Sequence, residues 1–441
     1  MRVSLVLVSA ATLVASTLAS GASRAAITVY PRHGLAADWT GASNGPGVVV
    51  MGGNQDVDDA FVWMQARLAG GGDGGDVVVL RDPDPNAGHD DDYAPYLLGL
   101  AKFHSVQTIV LADPVRASEL AQAAAIVDAA EGVFFGGGDQ RHYVGWRGPL
   151  LDAVQRVYDR RGVVGGTSAG GALFGQIVND AIGQYSHGST TSANALADPF
   201  EPSITFTTGL FAIPALAGAI TDTHFHARDR FGRLAAFVAR IAGGSLAGST
   251  SALGLGVDED SALLIDGRGI ATLALYAPGR GGAWLVRGGP PPDLAPGRAL
   301  RYDVAVTRLD KAGQRFDLGQ RCGDGASYAV AIDGANAAPY VPFDPYVASA
   351  EASLCGAVDA GALSDSAVPS PRPNDAGIDD GPPDGSGSND LPSPRDALAP
   401  GTTGCSAAST HGARGGWLGL AAMVAMAATL RRRNKYFTNA P

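Results

Sequence analysis

A chain of 441 residues, 46% hydrophobic and 17% charged, can bury one large core or two modest ones and is too apolar to be disordered throughout. A formal net charge of −11, with no basic run interleaved with aromatics in the body of the chain, excludes nucleic acid as a partner.

Arg2, the apolar run 3–18 and the small residues Ala19, Gly21, Ala22 and Ala25 have the layout of a secretory signal. They predict a signal peptide over 1–25, and the rival reading, a buried first helix, lacks a polar stripe. From 26 to 290, short β-branched runs alternate with longer Ala/Leu-rich segments. Strands are predicted at 47–51 (GVVVM, running into Gly52-Gly53), 76–80, 108–111, 132–135 (ending in Gly136-Gly137-Gly138) and 162–164. Helices are predicted over 117–130, 143–160 and 172–178. This order predicts an α/β fold, a parallel sheet covered on both faces, with ligands at the carboxyl ends of its strands. Strand-like runs at 299–309 and 327–332, with no helix between, predict a small β extension over 291–355.

The segment VVGGTSAGG (163–171) contains G-x-S-x-G as Gly166, Ser168 and Gly170. Chemically, this is a strand turning sharply into a helix with a serine at the apex and glycines allowing close backbone approach. Ser168 Oγ would project at the helix N-terminus, where the Ala169 N–H can stabilise a developing oxyanion. A phosphate-binding loop is the rival, but no G-x-x-x-x-G-K-[ST] occurs, no Lys follows Ser168 nearby, and the glycines do not match G-x-G-x-x-G at a first strand.

A serine nucleophile needs a base. Of eight histidines, His411 falls in the tail, His33 near the mature start and His89 in the acidic run HDDDY. His104 and His142 have no telling context, and His187, in a Gly/Ser-rich loop, stays open. His224 stands apart in DTHFHARDRFGRL (222–234), packed among acids and arginines where a helix should open, and His226 ranks second. For the acid that would hold the imidazole, Glu259 in GLGVDED (254–260) comes first and Asp180 is the alternative.

Residues 356–404, rich in Pro, Asp, Ser and Gly, predict a linker that cannot bury a core. The tail 405–441 combines Cys405, an apolar stretch and Arg431-Arg432-Arg433. It resembles the C-terminal sorting tails of myxobacterial surface proteins, and with the signal it predicts an exported protein held to a membrane or cell surface. Export also makes a Cys322–Cys355 disulfide an expectation. No Cys/His cluster has metal-ligand spacing, so neither metal nor other cofactor is predicted.

Three blocks, FFGGGDQ (134–140), GGTSAGG (165–171) and DTHFHARDRFGRL (222–234), supported by GLGVDED (254–260), together resemble the cyanophycinases of peptidase family S51 over roughly residues 45–275. The resemblance implies a three-layer, class I glutamine-amidotransferase-like sandwich with a nucleophile elbow. It implies Ser168 as nucleophile, His224 as base, Glu259 as acid, and the Gly138 and Ala169 amides as oxyanion hole. Gln140, Asp222, Thr223, Phe225, Arg228, Arg230 and Arg233 match positions lining the family's substrate site. The family removes β-aspartyl-arginine dipeptides from cyanophycin, a poly-aspartate bearing arginine on each side-chain carboxyl, and its members are commonly dimeric. Some of the three arginines could instead pair internally with Asp222, Asp229 or the triad acid. Thr223 stands where the family has Gln, and Gly171 where it has Ala. Hydrolysis of other acidic or isoaspartyl peptides is therefore the alternative, and a catalytically silent surface binding protein the third reading.

Overall fold

The computed structural model describes residues 27–347, except 71, 84–89, 245, 247–251 and 291. The expected signal peptide, linker and tail, and with them Cys355, Cys405, His89 and His411, lie outside the described residues. Among the described residues, no helix is long and apolar enough to cross a membrane.

The first half runs β1 (Ile27–Val29), β2 (His33–Gly34), β3 (Gly47–Met51), α1 (Asp58–Leu68), β4 (Asp76–Arg81), α2 (Tyr93–Leu100), β5 (Ser105–Leu111), α3 (Ala117–Val127), β6 (Gly132–Phe135), α4 (Gln140–Gly145), α5 (Pro149–Asp159) and β7 (Val163–Thr167). Strands β5, β4, β6, β7 and β3 lie side by side in that order, all parallel. Their β-branched runs bury both faces, as a covered parallel sheet requires. Val48 and Val50 of β3 enter one core with Leu120 of α3 and Val154 of α5. Val49 and Met51 enter the other with Phe61 of α1 and Leu97 of α2. Helix, sheet and helix form the three layers of an α/β sandwich. The helix predicted over 143–160 is broken in two: Gly148 has φ +102°, and Pro149 opens α5, where its missing N–H leaves no bond unmade.

The second half runs β8 (Ile177–Asn179), α6 (Ile182–His187), α7 (Ser192–Ala197), β9 (Phe206–Thr208), β10 (Ala219–Asp222), α8 (Phe231–Ala242), β11 (Leu253–Val257), β12 (Ser261–Asp266), β13 (Ile270–Leu275), β14 (Ala283–Gly288), β15 (Arg301–Leu309), β16 (Arg315–Asp317), β17 (Cys322–Gly323), β18 (Ala326–Asp333) and β19 (Tyr340–Val341). It builds a second, mixed sheet in the order β19-β18-β15-β14-β11-β10-β8-β9. Strand β12 returns to the first sheet, antiparallel to β3, and β13, β16 and β17 continue it. The inward residues Leu255 and Leu285 of the second sheet share a core with Val48 and Leu263 of the first. On its outer face α8 is almost wholly buried with Trp284 and Val304. Residues 301–333 thus add strands to both sheets.

A second element differs from expectation. Instead of a helix over 172–178, a single 3-10 turn (Gly171–Leu173) leads into β8. Ile177 and Val178 are β-branched, and Ile177 pairs with both Ile220 and Thr208. Gly175 lies so close to the Ala219 and Ile177 carbonyls that a Cβ would sit 2.7 Å from each.

Candidate active site

Two crossings bring the site together. β7 ends at Thr167 and the chain reverses at Ser168, whose φ of +55° is a left-handed conformation that a non-glycine residue adopts only where its surroundings impose it. Glycines make the reversal possible: a Cβ at Gly166 would sit 2.5 Å from the Gly170 carbonyl carbon, and one at Gly170 2.5 Å from the Phe135 carbonyl oxygen. The second crossing is the step from β11 in one sheet to β12 in the other, which holds Asp258, Glu259 and Asp260 beside the carboxyl end of β3.

His224 follows β10, with φ +49°, and its N–H donates to the Gly52 carbonyl at 2.8 Å. Its Nε2 lies 2.7 Å from Ser168 Oγ and its Nδ1 2.6 Å from Glu259 Oε1. The three side chains form one continuous hydrogen-bonded line. Gly53 lines the imidazole so closely that a Cβ there would stand 2.3 Å from Cε1. Burial first, then Arg228 and Arg230, push His224 down to about 3, so the ring is neutral and able to accept a proton.

Each acid of the Asp258-Glu259-Asp260 run has its own task. Asp258 Oδ1 accepts the His226 and Ala227 N–H groups at 2.9 Å each. Asp260 Oδ1 accepts from Asn54 Nδ2 at 2.9 Å and the Gln55 N–H at 3.1 Å, fixing the loop after Gly53. Of the eight described non-glycine residues with positive φ, Asn54, Ser168, His224 and Asp260 lie in this site. Such clustering marks a place where the surrounding structure over-determines a strained backbone.

The remaining expected residues divide. Among the described residues, the Gly138 and Ala169 N–H groups have no protein acceptor, and the turn before Gly138 comes close to the serine: a Cβ at Gly137 would sit 3.6 Å from Ser168 Cβ. Gln140 Nε2 donates to the Asn179 carbonyl. Arg228 is half-exposed, with Nε 4.0 Å from Glu259 Oε1. Asp222, Arg230 and Arg233 are turned on one another: Arg233 Nε reaches Asp222 Oδ2 at 2.8 Å, and Arg230 reaches Oδ1 at 3.2 Å and the Thr223 carbonyl at 2.8 Å. Burial opposes the Asp222 carboxylate, yet Arg233 and Arg230 outweigh it and hold its pKa below the usual range. Burial and the neighbouring Arg233 push Arg230 down to about 9.

Like Asp222 and Arg233, two further expected lining residues are buried. Phe225 is a core side chain, seated where a Cβ on Gly256 would be 2.6 Å from its ring and packed 5.6 Å from the Trp284 centroid. Thr223 is 2% exposed, and its Oγ1 donates to the Ser168 carbonyl at 3.1 Å. Asp180, the alternative acid, accepts from the Ile182 N–H at 3.0 Å and Thr207 Oγ1 at 2.9 Å, pinning α6 to β9 away from His224. His226 is exposed against the Tyr346 ring, and His187 ends α6 on the surface. The roles of Gly53, Asp258 and Asp260 were not read from the sequence, although Gly-Gly after a strand and three consecutive acids were visible signals. Among the described residues, no group of three or more His, Cys, Asp or Glu side chains could hold a metal ion.

No family model matches the chain. Over 151 residues it is 32% identical to the cyanophycinase of Trichormus variabilis and to that of a Nostoc species, covering 34% of this chain and 43% of each relative. It is 28% identical over 158 residues to the cyanophycinase of Synechococcus elongatus, covering 35% of this chain and 41% of that one. The chain thus spans less than half the length of the curated relatives it matches. Among solved structures, it aligns to a peptidase from an acI-B1 Actinobacterium at 14% identity and TM-score 0.37, covering 62% of this chain and 97% of that one. A peptidase E candidate from Listeria monocytogenes aligns at 12% identity and TM-score 0.33, covering 54% and 100%.

Proposed function

We propose that this chain is a serine peptidase of the cyanophycinase type, releasing β-aspartyl-arginine dipeptides from multi-arginyl-poly-aspartate through an acyl-enzyme on Ser168. The observation that carries the reading is the unbroken Ser168–His224–Glu259 line, with two free backbone N–H groups close to the serine turn. Sequence kinship with named cyanophycinases over the segment they share supports the substrate class.

The chemistry follows from the groups in place. Ser168 Oγ attacks the carbonyl carbon of the scissile amide while its proton passes to His224 Nε2. The carbonyl electron pair moves onto oxygen, where the Gly138 and Ala169 N–H groups stabilise it. Glu259 accepts the Nδ1–H bond throughout, fixing the tautomer and stabilising the imidazolium. As the tetrahedral species collapses, the C–N bond breaks and the leaving amine takes the proton from Nε2. Water then repeats the sequence on the ester: its proton goes to His224, its oxygen to the acyl carbon, and Ser168 Oγ recovers the proton. Arg228, with its exposed guanidinium beside Glu259, is the arginine of the segment able to meet a substrate carboxylate. Export and surface retention belong to this reading and rest on the terminal sequences.

The test is dipeptide release from cyanophycin by the chain and by Ser168→Ala. Release by the parent, reduced about 10⁴-fold or more in the variant, is the expected result. Release only from isoaspartyl peptides would move the substrate class. No turnover by a folded parent, with polymer still bound, would make it a binding protein.

A further inference from the structure

His142 takes no part in the chemistry just described, yet it is largely buried, its side chain 19% exposed, beside the 136–139 turn. Its Nδ1 lies 2.9 Å from Asp82 Oδ1, and Arg141 points a guanidinium N–H at Nε2 from 3.1 Å. Arginine can only donate, so Nε2 accepts and Nδ1 carries the proton that bonds Asp82. The other Asp82 oxygen accepts the Asp139 N–H at 3.1 Å. The buried Tyr143 hydroxyl donates to the same turn, 2.7 Å from the Gly137 carbonyl and 2.9 Å from that of Gly136. The same hydroxyl accepts the Asp82 N–H at 3.3 Å.

What this network grips is a run of three glycines. Gly136-Gly137-Gly138 has no side chain of its own to fix a peptide plane, and glycine is the residue freest to rotate one. Gly138 has φ +153°, and a Cβ there would stand 2.6 Å from Asp82 Cβ and 2.9 Å from Tyr143 Oη. Asp82 and Tyr143, hydrogen-bonded to each other, therefore close together on Gly138, while Gly137 of the same turn comes to Ser168. An oxyanion donor counts only if aimed where the charge forms, and a single one is worth about 10²–10³ in rate.

We infer that Asp82, His142 and Tyr143 are positioning residues that set the Gly137-Gly138 peptide as an oxyanion donor, an inference that rests on the hydrolase reading above. His142 acts through Asp82, and Asp82 and Tyr143 through the turn; none needs to touch substrate.

The test compares the full chain with His142→Leu, His142→Asn and Tyr143→Phe on a soluble β-aspartyl-arginine oligomer. Thermal midpoints and fluorophosphonate labelling of Ser168 are recorded alongside. His142→Leu and Tyr143→Phe are expected to lower kcat about 10- to 100-fold with KM held within about 3-fold. In His142→Asn the side-chain amide can replace the Nδ1–H donor to Asp82, so kcat should stay within about 3-fold of the parent. Parent-like kcat in both Leu and Phe variants overturns the inference, as does a raised KM with kcat kept. If Tyr143→Phe does not fold, the contrast between the Leu and Asn variants decides. A parent that neither turns over substrate nor takes the label on Ser168 overturns the hydrolase reading and this inference with it. A labelled, active parent with indifferent variants overturns the inference alone.

Discussion

At the residue scale the site is a set of assignments made by contact. His224 is held down to about 3 by burial and then by Arg228 and Arg230. The acid limb of kcat/KM should therefore lie well below pH 6.5, where an ordinary histidine would place it. Arg228→Gln removes a charge that disfavours the imidazolium, so the limb should move to higher pH, as initial rates from pH 3 to 8 would reveal. A parent limb at 6.5 would count against the geometry assigned to His224. Thr223 gives a second residue-scale prediction. Because its hydroxyl holds the Ser168 carbonyl and it is buried, Thr223→Val should lower kcat about 3- to 30-fold with little change in KM, while Thr223→Ser should stay near the parent. A change confined to KM would return Thr223 to the substrate.

At the element scale, strand ends and their glycines decide what can approach. The Gly53 φ of +105° and the 2.3 Å approach to His224 leave no room for a side chain. Gly53→Ala should displace the imidazole and lower kcat about 100-fold or more. Gly145→Ala is the control, since it has open space around its Cβ and closes α4; its activity should be unchanged and its stability equal or up to about 1 kcal/mol higher. Both read out by kinetics beside thermal unfolding. The parallel strands were legible because β-branched runs bounded by glycines have few other uses. The segment 172–178 was not, because a short Ala/Leu/Phe stretch suits a helix equally well until pairing with Ile220 and Thr208 claims Ile177 for a sheet.

At the scale of the whole molecule, two sheets share one core and ionisable groups buried between elements tie stability to pH. Asp56, hydrogen-bonded to Tyr93, is pushed up to about 6 chiefly by burial. A raised carboxyl contributes stability that is fully present below its unfolded value near 3.8 and is lost as pH climbs through 6. His224 runs the other way, since its lowered value makes stability fall as pH drops from 6.5 toward 3. Asp56→Asn should therefore raise the thermal midpoint at pH 8 by the equivalent of about 1–3 kcal/mol and change it little at pH 4. Equal shifts at both pH values would show that the carboxylate is not desolvated.

By itself, the sequence determined what is written over short distances. The α/β class follows from runs of five to fifteen residues, and Ser168 from a turn whose glycines must be adjacent to it. Only the tertiary structure set Glu259 rather than Asp180 against His224, turned Arg230 and Arg233 inward onto Asp222, sank Phe225 and Thr223, and gave His142 a place beside the glycine turn. The reason is physical. Those outcomes depend on which distant segments meet: Glu259 stands 35 residues from His224 along the chain, and His142 stands 60 from Asp82. Local propensity carries no record of the crossing between two sheets that brings the acid to its histidine.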